Sequence, residues 1–274
     1  MRIAVLHPGE MGSAVAAALS PSGTVGWCSA GRSDVTRRRA QEAGLEEFTA
    51  LGECTDWADA VVSVCPPAAA EALAADVSGT GFRGLYLDAN AVSPATSERI
   101  GALVADAGAT YVDGGIVGPA PRRAGTTRLF LAGERAGEVA AWFEDGVLDT
   151  VVLDGPVGGA SALKAAYAGW TKASAALLTA VRGYARAAGV EEELLDEWDR
   201  SQPGLRDRSD ASFARLLRTA WRFEGEMREI ASTMDDHGLP ADFHDGAAAV
   251  YRRLARVDDA DDDPGRVLDR FLEP

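Results

Sequence analysis

Residues 1–20 read MRIAVLHPGEMGSAVAAALS. A short apolar run over 2–6 passes through His7-Pro8-Gly9-Glu10-Met11-Gly12 into an alanine-rich stretch with helical periodicity from about Met11 to Leu19. A strand, a glycine turn and a helix in that order are the parts of a phosphate-cradling turn. Such a turn needs a tight bend, close approach of a pyrophosphate to backbone N–H groups, and close packing of helix on strand. Gly9 and Gly12 serve the second and third needs. His7 stands where the first glycine usually does. Pro8 biases it toward extended angles rather than a positive φ, so the bend is expected without a left-handed residue. Pro8, Gly9, Glu10, Met11 and Gly12 are therefore candidates to face an anion at the positive end of the helix. The competing reading is an ordinary strand–helix connection.

The segments downstream support the first reading. Apolar segments recur at 24–29 (TVGWCS), 60–67 (AVVSVCPP), 84–94 (GLYLDANAVSP) and 110–121 (TYVDGGIVGPAP), and RLFLAGE and DTVVLDG are further β candidates. Helical patterns lie between them, including DVTRRRAQEAG with Asp34 as its expected N-cap and Gly44 at its end. Strands alternating with helices predict a parallel, doubly wound sheet. After Gly159 the strand signal stops. Residues 159–189 read as one helix of roughly 30 residues, about 45 Å long, apolar on nearly every face and therefore expected to be buried all round. The expected architecture is an α/β Rossmann-type N-terminal domain, residues 1–157, and an all-α C-terminal domain, residues 158–274. The second begins with a long interdomain helix and is expected to serve substrate binding and homodimer formation.

Composition narrows the partners. The chain has 274 residues, 47% hydrophobic and 25% charged, with a formal net charge of -15. That charge repels nucleic-acid backbones and anionic membrane surfaces, and much of it sits in EEELLDEWD and DDADDD, read as solvated surface. Apolar runs long enough to cross a bilayer are lacking, as is a signal-peptide pattern. Cys28, Cys54 and Cys65 have no metal-like or paired spacing, which points to a cytoplasmic protein without structural zinc. His7, His237 and His244 are too scattered for a metal site, and His237-Gly238-Leu239-Pro240 reads as a plain loop. Trp170, Trp221 and Phe223 either wall an apolar substrate pocket or belong to the core. The expected partners are a small-molecule substrate and a second copy of the chain, with neither nucleic acid nor membrane.

The end of the second strand bears on cofactor choice. A site for NAD places a carboxylate there to hold the ribose hydroxyls. CSAGRSDVTRRR offers Ser29, Arg32, Ser33 and Arg37 instead. Arg32 and Arg37 can pair with a 2′-phosphate, and Arg32 can stack on adenine. Asp34 lies past the strand end, where helix capping accounts for it. NADP is therefore the expected cofactor, although the run Arg37 to Arg39 also suits a solvated helix face.

Lys164 is a lone cation in GGASALKAAYAGW, among apolar or small neighbours. Burial of such a lysine lowers its pKa toward neutrality, which suits an ammonium that donates to a nascent alkoxide or an amine that takes an alcohol proton. Ser161 and Tyr167 lie three residues to either side, on nearly one helical face, where they can orient the lysine or a substrate. A lysine snorkelling from a helix surface is the alternative.

Taken in order, Gly9–Gly12, VCPP, DANAVSP, VDGGIVGP and the Lys164 helix resemble the β-hydroxyacid dehydrogenase superfamily. It includes 3-hydroxyisobutyrate dehydrogenase, 6-phosphogluconate dehydrogenase and the imine reductases. The resemblance implies that Cys65, Pro66, Pro67 and Asn90 border the cofactor, Asn90 standing in the first hydroxyl's place of a D-x-S-T-x-x-P stretch. It implies that Val117 and Gly118 bind substrate through backbone N–H groups, Val117 replacing the serine of D-A-P-V-S-G-G. It implies that Lys164 is catalytic. The usual asparagine four residues on is Ala168, and the lysine–aspartate pair further along is Arg228-Glu229. The implied activity is NADP-dependent hydride transfer to or from a β-hydroxyacid or its keto or aldehyde partner. Reduction of a cyclic imine, and a silent NADPH-binding sensor, are the alternatives.

Overall fold

The computed structural model describes residues 1–19, 23–257 and 263–273. They divide into two compact units, Met1–Ala165 and Ala166–Pro274.

The first unit is built on one eight-stranded sheet, in the order β3-β2-β1-β4-β5-β6-β7-β8. Its strands are β1 (Arg2–Leu6), β2 (Thr24–Cys28), β3 (Glu46–Phe48), β4 (Ala60–Ser63), β5 (Leu85–Asp88), β6 (Thr110–Val117), β7 (Arg128–Ala132) and β8 (Asp149–Val152). Helices α1 (Glu10–Leu19), α2 (Asp34–Glu42), α3 (Leu51–Trp57), α4 (Ala70–Gly79), α5 (Pro94–Asp106) and α6 (Ala136–Ala141) connect them. The inner strands β1, β2, β4, β5 and β6 are buried on both faces, so they read as continuous apolar runs. Ile3, Val5, Val62, Leu87 and Val112 pack on one side with Val15, Leu19, Val139 and Phe143. Ala4, Leu6, Val61, Tyr86 and Tyr111 pack on the other with Leu73, Val77, Ile100 and Val104.

Three expectations change. β3 is an extra edge strand, only three residues long and two of them glutamates, too short and too charged to carry a period. β7 runs antiparallel to β6, pairing Val117 with Arg128, so the sheet is parallel only up to β6 and again between β7 and β8. The cap of α2 is Ser33, not Asp34. Ser33 has extended angles and its Oγ accepts from Thr36 N–H, which leaves Asp34 in the first helical position, where its charge favours the helix dipole.

Helix α7 spans Gly159–Ala187, 29 residues, and the division between the units falls within it. In the second unit it is followed by α8 (Glu191–Ser201), α9 (Leu205–Asp236), α10 (Asp242–Leu254) and α11 (Pro264–Leu272). EEELLDEWD forms α8, which buries Leu195 and Trp198 and turns Glu192, Glu193, Asp196, Glu197 and Asp199 outward, while Glu191 faces Arg182 and Arg186 of α7. Of DDADDD, residues 258–262 lie outside the described residues, and Asp263 caps α11 by accepting from Arg266 N–H at 2.9 Å. Arg182 of α7 is buried and ties three helices, donating to Glu191, Ser209 and Asp210. Phe223 is core, edge-on to Tyr251 at 5.3 Å. Trp170 and Trp221 are instead exposed. α7 is not buried all round: Tyr167, Trp170, Leu177 and Tyr184 face out from the unit.

Candidate functional site

Leu6, Ser63, Asp88 and Asp113 stand in register across β1, β4, β5 and β6. The residues just past them lie along the carboxyl edge of the parallel strands, where sheets of this kind bind ligands.

At the end of β1 the bend is made by His7, with φ 69, the one described residue other than glycine at positive φ. This corrects the expectation from Pro8. The histidine takes the left-handed conformation that a first glycine would take, and Gly9 N–H closes the turn onto His7 O at 2.7 Å. Close packing then requires Gly12, since a Cβ there would meet His7 O at 2.3 Å. Gly9 faces open space. Ser13 N–H is the first to bond back, to Gly9 O at 2.9 Å, so the leading N–H groups of α1, from Glu10, Met11 and Gly12, remain for a ligand. Pro8 is buried and Met11 half-buried, while the Glu10 side chain is exposed. This is a turn that fits a pyrophosphate.

At the end of β2, Arg32 is half-buried and makes no ion pair among the described residues. Arg37 is taken up by Glu47 of β3, and Ser33 by the cap. Of the two candidate arginines, Arg32 is thus the one without an ion pair among the described residues. It lies close enough to His7 to lower the imidazole pKa, which burial, the larger cause, brings down to about 4.

At the end of β4, Cys65 N–H donates to Asn90 Oδ1 at 2.6 Å, and Asn90 Nδ2 donates to Ser63 Oγ at 2.8 Å. Asn90 is therefore a buried strut that fixes the Cys65 loop, leaving Pro66 and Pro67 exposed. Burial pushes the Cys65 thiol up to about 11, so it is no thiolate nucleophile.

The start of α7 is held by a residue that sequence reasoning missed. Asp113 Oδ2 accepts from Ala160 and Ser161 N–H at 2.9 and 3.0 Å, and Oδ1 from Ser161 Oγ at 2.7 Å. Ser161 is accordingly buried and committed to this cap. One turn later Lys164 rises over β6, where a Cβ on Gly115 would touch Ala160 O at 2.6 Å and Lys164 Cβ at 3.3 Å. The Lys164 amine has no hydrogen bond or ion pair among the described residues. Desolvation brings its pKa down to about 8, against the opposing fields of Asp88 and Asp113. Asp88 is buried, and burial pushes it up to about 7. A lone aspartate after an apolar run, as in LYLD and TYVD, was the available signal for both acids, Asp88 ending β5 and Asp113 lying within β6.

Val117 ends β6 with its side chain buried, and Gly118 comes next at φ 124, exposed. Tyr167, in the second unit, is exposed. No cluster of three metal-ligating side chains occurs among the described residues, and no described helix is long and apolar enough to cross a membrane.

Residues 185–254 match a domain of unknown function, DUF1932. An uncharacterized 28.5 kDa protein of Methanothermus fervidus is 29% identical over 196 residues, covering 72% of this chain and 75% of that one. Among solved structures, a conserved protein of unknown function described as similar to 3-hydroxyacid dehydrogenases superposes with a TM-score of 0.74 at 24% identity, covering 93% of this chain and 97% of its own. The 3-hydroxyisobutyrate dehydrogenase of Mycobacterium tuberculosis, solved with L-serine, gives 0.76 at 18% identity over 99% of both chains. The imine reductase of Myxococcus stipitatus, in complex with NADP+, gives 0.60 at 19% over the whole of both. The chain has the fold that the 3-hydroxyacid dehydrogenases share with the imine reductases, a Rossmann-type domain followed by a helical one, as the motif resemblance implied.

Proposed function

We propose that this chain is an NADP-dependent oxidoreductase that moves a hydride between the cofactor and a β-hydroxyacid or its keto or aldehyde partner. The observation that carries the reading is Lys164: an amine with no hydrogen bond or ion pair among the described residues, its pKa brought down to about 8 by burial over β6. The cofactor, when bound, supplies or accepts the hydride at its nicotinamide. The chain's own residues do the rest. N–H groups of Glu10, Met11 and Gly12 hold the pyrophosphate, and Arg32 the 2′-phosphate. Asn90 fixes the Cys65–Pro67 loop, which would border the cofactor. The Lys164 ammonium gives its proton to the oxygen that becomes the alcohol, and the amine takes it back in the reverse direction. Val117 and Gly118 offer backbone N–H groups to a substrate carboxylate, with Ser161 positioning Lys164 through the Asp113 cap and Tyr167 as the candidate from the helical half. That half, residues 158–274, is the substrate and dimerisation domain.

The dehydrogenase and the imine reductase with the same fold, the latter bound to NADP+, support this reading. The test is NADPH oxidation with a panel of short keto acids, aldehydes and cyclic imines. Lys164→Ala is expected to lose about a hundredfold or more in turnover with NADPH affinity unchanged; an undiminished rate removes the lysine's role. Arg32→Ala is expected to weaken NADPH about tenfold and leave NADH unaffected. Tight NADPH binding without turnover on the whole panel is the outcome that a cofactor sensor requires.

A further inference from the structure

Partners in register on neighbouring parallel strands send their side chains to one face, as do residues two apart on a strand. Asp88, Asp113 and Gly115 therefore share the face that the start of α7 covers. The two acids are spent differently. Asp113 uses both oxygens on the helix cap. Asp88 uses only Oδ1, which accepts from Asn90 N–H at 2.8 Å, while Oδ2 is buried with no hydrogen-bond partner. The residue is 1% exposed. A carboxylate oxygen in such a place requires a proton or a positive charge nearby. The groups that face Asp88 are Asp113 from β6, the phenols of Tyr86 and Tyr111, the Cys65 thiol after β4, and Lys164 from α7. Of these, only Lys164 brings positive charge.

We propose that Asp88 is a positioning residue that acts through Lys164, the two forming one coupled proton pair in which the carboxylate holds the amine in its donor form. The inference rests on Lys164 being the proton donor. In that step an N–H bond of the ammonium breaks and an O–H bond forms on the substrate oxygen. The neutral amine then regains a proton from solvent, drawn to it by the Asp88 charge. Burial moves the two groups toward one another, Asp88 up to about 7 and Lys164 down to about 8. Each field opposes the other's shift, and Asp88 outranks Asp113 as the negative charge acting on the amine.

The chain contains two lysines, Lys164 and Lys172, which makes the pair directly observable. The full-length protein is grown on lysine carrying carbon-13 at Cε, and Lys172→Arg assigns the two signals. Across the range in which carboxyl and amine titrate, the Lys164 signal is expected to move in two steps, the lower one reporting Asp88. In Asp88→Asn the lower step disappears and the Lys164 midpoint falls by about one unit, roughly tenfold in the ammonium-to-amine ratio at fixed pH. Asp88→Glu restores the midpoint. An unmoved Lys164 midpoint in Asp88→Asn, with the Lys172 signal native, overturns the proposal. So does a single-step titration of the unsubstituted protein, which requires no variant to fold. Neither cofactor nor substrate is present, so a failed coupling beside Lys164-dependent NADPH oxidation removes Asp88 alone and leaves the oxidoreductase reading standing.

Discussion

His7 and Asp88 each occupy a position that ordinary stability would give to another residue. A non-glycine residue in the left-handed region costs about 1–2 kcal/mol, and His7 bears that cost at the mouth of the glycine turn, with Nδ1 buried and unpartnered. Asp88 carries a larger burden when ionised, and its sign is open to measurement. Its value rises from 3.8 in the unfolded chain to about 7 in the folded one. Between those values the folded state binds more protons, so the stability Asp88 confers is complete in acid and is lost as pH rises through the folded value. Asp88→Asn keeps the acceptor for Asn90 N–H and cannot ionise. The variant is expected to melt at a higher temperature than the parent at about pH 8, the two curves converging below about pH 4. Melting curves that stay parallel across that range would show that Asp88 is not buried as a titrating acid. The two outcomes together, a more stable fold and a lower donor state of Lys164, would mean that Asp88 is kept for chemistry rather than for folding.

At the scale of elements, the site depends on how β6 receives α7. Gly115 leaves no side chain between strand and helix: a Cβ there would lie 2.6 Å from Ala160 O. Asp113 then caps the helix across 47 residues of chain. Asp113→Asn retains an acceptor for one side of this cap but loses the charge and one oxygen. It is expected to cost about 2 kcal/mol in a urea melt, and Gly115→Ala about 1–3 kcal/mol through overpacking. Full stability in Gly115→Ala would mean that α7 can stand away from β6 without consequence. These contacts mark what the sequence could not reveal. β1, β2, β4, β5 and β6 were legible because each is an apolar run punctuated by glycine, proline or asparagine, and α7 because its small-residue pattern continues to Gly189. β3 had no period to detect, and the reversal at β7 leaves no mark in composition. The Asp113 cap joins residues too far apart in sequence to suggest one another. The local rule applied to His7 was sound, but the packing of Gly12 on His7 O outweighed it. Lys164 stands out in the sequence as a lone cation, whereas Asp88 and Asp113 do not, since an aspartate after a short apolar run reads equally as solvated turn chemistry.

At the scale of the whole molecule, the uncovered side of α7 asks for a second chain. Trp170, Leu177 and Tyr184 recur every seven residues and are 71%, 62% and 74% exposed, with Tyr167 beside them. Seven residues make nearly two turns, so these side chains form one stripe that drifts slowly around the helix. Single exposed apolar residues are ordinary, but a row of four large ones on one helix is not. The charged side chains of α7 that lie in the second unit are meanwhile committed there, Arg182 to Glu191 and Asp210, Lys172 to Glu226, and Arg186 to Asp269. What remains to pair the stripe is an apolar surface of the same kind, and a homodimer supplies one by symmetry. A dimer is therefore the expected mass in light scattering across a dilution series. Trp170→Glu combined with Leu177→Glu is expected to give a monomer with a native thermal midpoint, since neither side chain is buried in the isolated chain. A parent protein that is monomeric at every concentration, or a double variant that remains a dimer, would leave the stripe without this partner. If the dimer forms, the charges introduced on α7 should cost association and not folding, because the helix is anchored from its other side by the buried Arg182 network.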